Sequence, residues 1–249
     1  MRFLTATAKW LFVLCLPFLL LTASIWWWAN SHWLYTSGFA RYDVSQTTGL
    51  AEAELEKVAG ALIDYFNSPA ELVSLTVVKD GRPLDLFTEE EALHFRDVKR
   101  LFRLDFRVLL GTAAYCGACA LGTVLLRQRR YYRMLARAVL GGSIVTLALM
   151  LLLAIGMLLD FDQLFLQFHL LSFSNEFWSA EGYMLLLFPR NFWYDAAVYG
   201  AATMAGAALV LGAAAAGYLI AARRREAAQP GPDEERVPDW ERTQNGTGS

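Results

Sequence analysis

Long apolar blocks separated by polar stretches organise this chain. A helix needs roughly 20 apolar residues to cross a hydrocarbon core. Four stretches meet that length: Trp10 to Ala29, Phe106 to Leu126, Ala138 to Leu159, and Ala196 to Ala222. The first follows Arg2 and Lys9 and ends in "SIWWWANSHW", which is too bulky for a small-residue cleavage site. We therefore read it as a retained anchor, with Trp26, Trp27, Trp28 and Trp33 at the membrane interface. In the fourth stretch Ala208, Gly212 and Ala216 recur at helical spacing, which lets a neighbouring helix approach closely.

Between the spans the periodicity changes. Leu55, Val58, Ala59, Leu62 and Phe66 form one stripe of an amphipathic helix that Asn67 and Pro69 end. A run rich in β-branched residues, Val73 to Val78, then leads into Asp80-Gly81, a hairpin turn pair. Thr88 and Glu91 have capping-box spacing, so a helix should start at Glu89 and run on into the second span. The stretch 160–195 is too polar to span and too aromatic for a free loop, which predicts short interfacial helices or re-entrant turns.

The predicted fold is a mainly α membrane protein, a four-helix transmembrane bundle with a small α+β extracytoplasmic domain. Its parts are an anchor over 1–29, an α+β region over 30–105, spans two and three with a short basic loop over 106–159, an interfacial segment over 160–195, span four over 196–222, and a disordered tail over 223–249.

Composition agrees with the pattern: 56% of the 249 residues are hydrophobic, 18% are charged, and the formal net charge is −2. There is no basic run with interleaved aromatics, so nucleic acid is not an expected partner. Arg127, Arg129, Arg130, Arg133 and Arg137 between spans two and three, and Arg223 to Arg225 after span four, place both termini in the cytoplasm of a multi-pass cell-membrane protein. Lys99, Arg100, Arg103 and Arg107 oppose this, but they close a loop longer than ~60 residues and weigh little in that rule. We read Lys99, Arg100 and Arg103 as a solvated helix face. Cys116 and Cys119 form C-x-x-C without a second pair and, with Cys15, read as packing residues.

Candidate chemistry rests on the histidines. His32 lies among interface aromatics, where an amphipathic ring fits without chemistry. His94 and His169 are each held at the same membrane face by a different outer segment, and an imidazole with a pKa near ~6.5 can take and return a proton at neutral pH. Asp97 shares a helix face with His94 and could orient it. Spacing alone leaves a structural pair and a proton-transferring pair both open. Asp97 and Asp162 could add to a metal site, but no paired-ligand motif supports one. Ser172, Ser174 or Ser179 could serve as a nucleophile, yet there is no G-x-S-x-G elbow. No cofactor is implied.

Three segments, "TGLAEAELEKVAGALIDYFNSP", "LFTEEEALHFRDVKRLF" and "FHLLSFSNEFWSAEGYMLLLFPRNFW", resemble in order and spacing a family of bacterial four-span membrane proteins that includes the lipoprotein intramolecular transacylases. The resemblance covers roughly residues 10 to 220; its most specific pieces are H-x-x-D-V-K at His94 to Lys99, Phe168-His169, and Leu187-Phe188-Pro189 running to Phe192-Trp193. It implies an acyltransferase acting on a diacylated lipoprotein among membrane phospholipids. The acyl chain would move from the glyceryl moiety to the N-terminal cysteine amine, giving a lyso-form lipoprotein. It implies His94 and His169 as the catalytic pair on the extracytoplasmic face, with base and acid unassigned. Asp97 and Asn175 would support them; the chemistry of the transfer also needs a donor to the developing oxyanion, which an imidazolium, Asn175 or a backbone N–H could supply. The alternative is a non-enzymatic membrane sensor or partner-binding protein with an outward-facing domain.

Overall fold

The computed structural model describes residues 2–227, with side chains from residue 7 onward. The tail expected to be disordered over 223–249 instead continues a helix as far as Ala227, and the rest of it lies outside the described residues. Four long helices carry the apolar blocks: α1 (Arg2–Ala29), α5 (Glu89–Leu126), α6 (Arg129–Ser172) and α8 (Arg190–Ala227). Each is long and apolar enough to cross a membrane, and only 17–33% of each apolar window is buried inside the protein. Leu158, Leu159 and Val210 face outward, as a lipid solvent requires of a bundle.

α1 packs against α5, α6 and α8. Phe12, Val13 and Leu16 of α1 meet Cys116 and Ala138, and Cys15, Cys116 and Cys119 are free packing residues in this region. Apolar burial does little to join helices in lipid, so close approach at small residues matters more. Gly212 faces Ser143 across the α6–α8 seam, where a Cβ would lie 3.1 Å from the Ser143 Cβ. Ala208 and Ala215 are buried along the same helix, while Ala216 is only half-buried. Gly142 is tighter still: a Cβ there would lie 2.8 Å from Leu16 Cδ2 and 3.2 Å from the Val13 carbonyl oxygen. Gly142→Ala should therefore force α1 and α6 apart at a cost of ~1–3 kcal/mol. Thermal unfolding in detergent checks this against Gly217→Ala, which meets open space; equal melting temperatures would refute the close packing.

At one end of the bundle, α2 (His32–Arg41), α3 (Val44–Thr48), α4 (Glu52–Asn67) and a two-stranded hairpin form a cap. α4 buries Leu55, Val58, Ala59, Leu62 and Tyr65, with Phe66 at the rim. The hairpin pairs β1 (Thr76–Lys79) with β2 (Arg82–Asp85), Lys79 opposite Arg82. Asp80 at φ 52° and Gly81 at φ 74° supply the two left-handed residues that a tight primed turn needs. α4 closes the free edge of β1: Glu54 Oε2 accepts from the Val78 N–H, and Lys57 Nζ donates to the Thr76 carbonyl.

The segment 160–195 does not stand apart from this cap. Asp160 has non-helical angles and breaks α6, and its Oδ1 accepts the Gln163 N–H at 2.9 Å, restarting the helix. After Ser172 the chain forms a strap: a short 3-10 turn (Phe177–Ser179), then α7 (Tyr183–Leu187), then α8. Leu187, Phe188 and Phe192 belong to the same core as Leu34, Phe39 and Leu62 of the cap.

Contrary to the expectation from sequence, Lys99 does not lie on a solvated face with Arg100 and Arg103 but is buried, 2% exposed. Its Nζ donates to the Ala70 carbonyl at 2.7 Å and the Ser68 hydroxyl at 3.2 Å, 3.9 Å from the Tyr65 ring centre. The chain leaving α4 has carbonyls without helical partners, and the long Lys99 side chain reaches through to satisfy them.

Candidate active site

α5 projects beyond the bundle because the Thr88 capping box starts it well before the apolar span. The Thr88 hydroxyl accepts the Glu91 N–H, and the Glu91 carboxylate accepts the Thr88 N–H. His94 follows one turn later. The Asp160 break re-aims the last three turns of α6 and carries His169 toward it. The two rings are 6.2 Å apart between centroids with 25° between their planes. The structure thus brings together the two histidines, while His32 is exposed at the start of α2.

Both imidazoles are buried among aromatics. Phe173 lies 4.9 Å from His94 and 5.6 Å from His169, and Phe165 and Trp178 flank His169 at 4.2 and 5.0 Å. Burial pushes the His94 pKa down to about 4; neighbouring His169 adds to this and Asp97 opposes it. His169 is also lowered by burial, against the Phe165 carbonyl. Its Nδ1 is 2.7 Å from that carbonyl oxygen, a contact that requires a donor. Nδ1 of neutral His169 therefore carries the proton, and Nε2 is the ring's only acceptor. His94 Nδ1 is buried without a partner among the described residues.

Asp97 is close but makes no bond to that nitrogen. Its Oδ1 is 3.1 Å from an Arg100 guanidinium nitrogen, and its Oδ2 accepts from Asn175 Nδ2 at 2.9 Å. Asn175 Oδ1 accepts the Phe177 N–H at 3.2 Å. Asn175 thus ties the strap to α5 rather than turning toward the imidazoles. Ser172, Ser174 and Ser179 are exposed, and none of them lines the cavity described below. Among the described residues no three His, Cys, Asp or Glu side chains form a group that could hold a metal ion.

Sequence reasoning missed a further residue. Glu91 appears in the sequence only as the third position of a capping box. In the structure it is fully buried, and its Oε1 also accepts the Met184 N–H at 2.6 Å. Gly182 lies against it, where a Cβ would come within 2.3 Å of that oxygen. One carboxylate thus fastens both the start of α5 and the strap.

The histidines open onto a cavity of about 340 Å³. Its wall is almost wholly apolar, including Leu21, Phe102, Met150, Phe192 and Met204 from helices on every side. An apolar cavity with a few convergent polar groups suits a hydrocarbon chain whose reactive end lies at the imidazoles.

A family model described as lipoprotein intramolecular transacylase Lit matches residues 10–193. No curated protein sequence matches the chain. The fold is similar to that of the membrane integral lipoprotein intramolecular transacylase Lit from Bacillus cereus, solved in meso. The TM-score is 0.75 at 18% identity, over 90% of this chain and 100% of that one. Two variants of that protein, one with a histidine replaced by arginine and one by alanine, each give a TM-score of 0.69 at 18% identity and 90% coverage of this chain, with 96% and 97% of theirs. The matched region runs from the first span to Trp193 and takes in both histidine-bearing segments, and the chain belongs to the lipoprotein intramolecular transacylase family.

Proposed function

We propose that this chain moves an acyl chain within a diacylated lipoprotein, from the glyceryl moiety to the α-amino group of the N-terminal cysteine, at His94 and His169. The observation that carries the reading is the pair itself: two imidazoles from distant segments, 6.2 Å apart, at an apolar cavity. The small α+β cap and the strap lie on the extracytoplasmic face, the basic end of the bundle and both termini in the cytoplasm, and phospholipid surrounds the spans.

The amine nitrogen, once neutral, attacks the ester carbonyl. His169 Nε2 takes the proton that nitrogen must lose, because Nδ1 is committed to Phe165. His94 is held neutral, and its N–H donates to the developing oxyanion. The carbon–oxygen bond then breaks, and His169 returns its proton to the departing glycerol oxygen. One amide and one hydroxyl replace one amine and one ester, with no acyl-enzyme. Donor and acceptor belong to one molecule, so the cavity has only to fold one headgroup into attack geometry. Asp97 and Asn175 are positioning residues that hold the strap, and with it Trp178, over His169.

The transfer conserves mass, so the test reads position. A diacylated reporter lipoprotein should lose its free α-amine to amine-reactive labelling, and tandem mass spectra should show the acyl group on nitrogen. A reporter that keeps its free amine in cells making this protein would sink the reading. Since both imidazoles are neutral near pH 7, the rate should rise with pH through ionisation of the substrate amine, near ~7.7–8. A half-rise near ~6.5, indifferent to the amine's own pKa, would overturn that assignment. Acid should also destabilise the fold. Between about 4 for folded His94 and ~6.5 for the unfolded side chain, the unfolded state binds more protons, so stability falls as pH drops through that window.

A further inference from the structure

The basic end of the bundle holds a second cavity, of about 130 Å³, between α6 and α8. Arg129 and Arg133 line it from one face of α6, and Tyr218, Ala221, Ala222 and Arg225 from one face of α8. The alanines leave the space and the arginines surround it. Arg133 pairs with Glu226 and reaches the Ala222 carbonyl at 3.5 Å, whereas Arg129 and Arg225 pair with no carboxylate among the described residues. Three guanidinium groups thus face one carboxylate around an open space.

We propose that this cleft binds a phosphate group, supplied by an anionic phospholipid of the adjoining leaflet. Arg133 lies five residues before the start of its uninterrupted apolar span at Ala138, hence roughly 8 Å along the helix. The polar layer on each side of the hydrocarbon core is ~5–8 Å thick, so the cleft opens at the depth of lipid phosphates. A guanidinium fork donates two parallel hydrogen bonds to phosphate oxygens, and a basic pocket between spanning helices suits an anionic headgroup. Orientation bias accounts for arginines at this end, but not for their arrangement around a cleft floored by alanine. The site is independent of the transfer reaction: α6 alone puts about 45 Å of helix between Arg129 and the Asp160 break.

Native mass spectrometry of the full-length protein, offered phosphatidylglycerol, phosphatidylcholine or inorganic phosphate in detergent, tests this. Phosphatidylglycerol should be retained over phosphatidylcholine. Retention should fall about tenfold in the Arg129→Gln, Arg225→Gln double variant. Ala222→Leu, which fills the cleft and keeps every charge, should lose it as well, whereas His169→Ala should not. Three results would overturn the proposal: equal retention of the two lipids, retention unchanged in Ala222→Leu at an unchanged melting temperature, or an Arg-dependent mass shift with inorganic phosphate only. The last would assign the cleft to a soluble anion.

Discussion

Replacing His169 with alanine should lower conversion of the diacylated reporter ~10²–10⁴-fold, the range expected when a positioned proton-transfer group is removed. Among the described residues no other group is placed to take over: apart from His94 and the buried Tyr35, the cavity wall presents no titratable side chain, and Tyr35 already donates to the Ala29 carbonyl. His94→Ala should fall into the same range by a different route, because it removes the N–H donor at the oxyanion while His169 keeps its Phe165 contact. The two groups serve one transition state, so the double variant should lose little more than either single one. His169→Gln separates shape from chemistry: it fills most of the space and can donate to Phe165, but it cannot hold a proton. Amine labelling of the reporter, with each variant's membrane level matched to wild type, reads all four. A His169→Gln protein that converts at more than a tenth of the wild-type rate would place the base elsewhere.

How much of this was legible in the sequence depends on whether one segment decides a feature by itself. The spans were legible because lipid imposes length and apolarity on each helix alone. Asp80-Gly81 and Thr88-x-x-Glu91 were legible because turn and cap chemistry is local. His94 and His169 could be placed at one membrane face, but only packing sets their separation. That in turn follows from a break at Asp160, which the pattern places at a span's end without giving its angle. Lys99 was misread because its partners, Ser68 and Ala70, follow a different helix about thirty residues away. A lysine among arginines on a helix looks solvated until that loop is seen. The cavity was invisible for the same reason, since helices on every side each contribute a few apolar residues that also read as ordinary core.

Glu91→Ala should be the most damaging change outside the histidine pair. It strips the acceptor from the Thr88 N–H, 2.8 Å away, and from the Met184 N–H, 2.6 Å away, at a site with no solvent exposure. Each donor left unsatisfied in a buried site costs ~1–3 kcal/mol. Glutamine is not a rescue, because its NH₂ would face one of the two N–H groups. Gly182→Ala should act from the other side without backbone strain, since Gly182 is extended and only the 2.3 Å approach to Glu91 forbids the methyl group. Both changes should free the strap, and with it Trp178 and Asn175, so that conversion falls by up to roughly 10²-fold, as for a misplaced reacting geometry. The pH dependence should keep its shape, since neither change touches an imidazole. Hydrogen exchange separates positioning from general instability: the Met184 amide should lose protection while amides across the hairpin pairing of β1 and β2 keep theirs. If the Met184 amide stayed protected and conversion stayed near wild type, the strap would be held by Leu187 and Phe188 in the cap core, and the buried carboxylate would be only a helix cap.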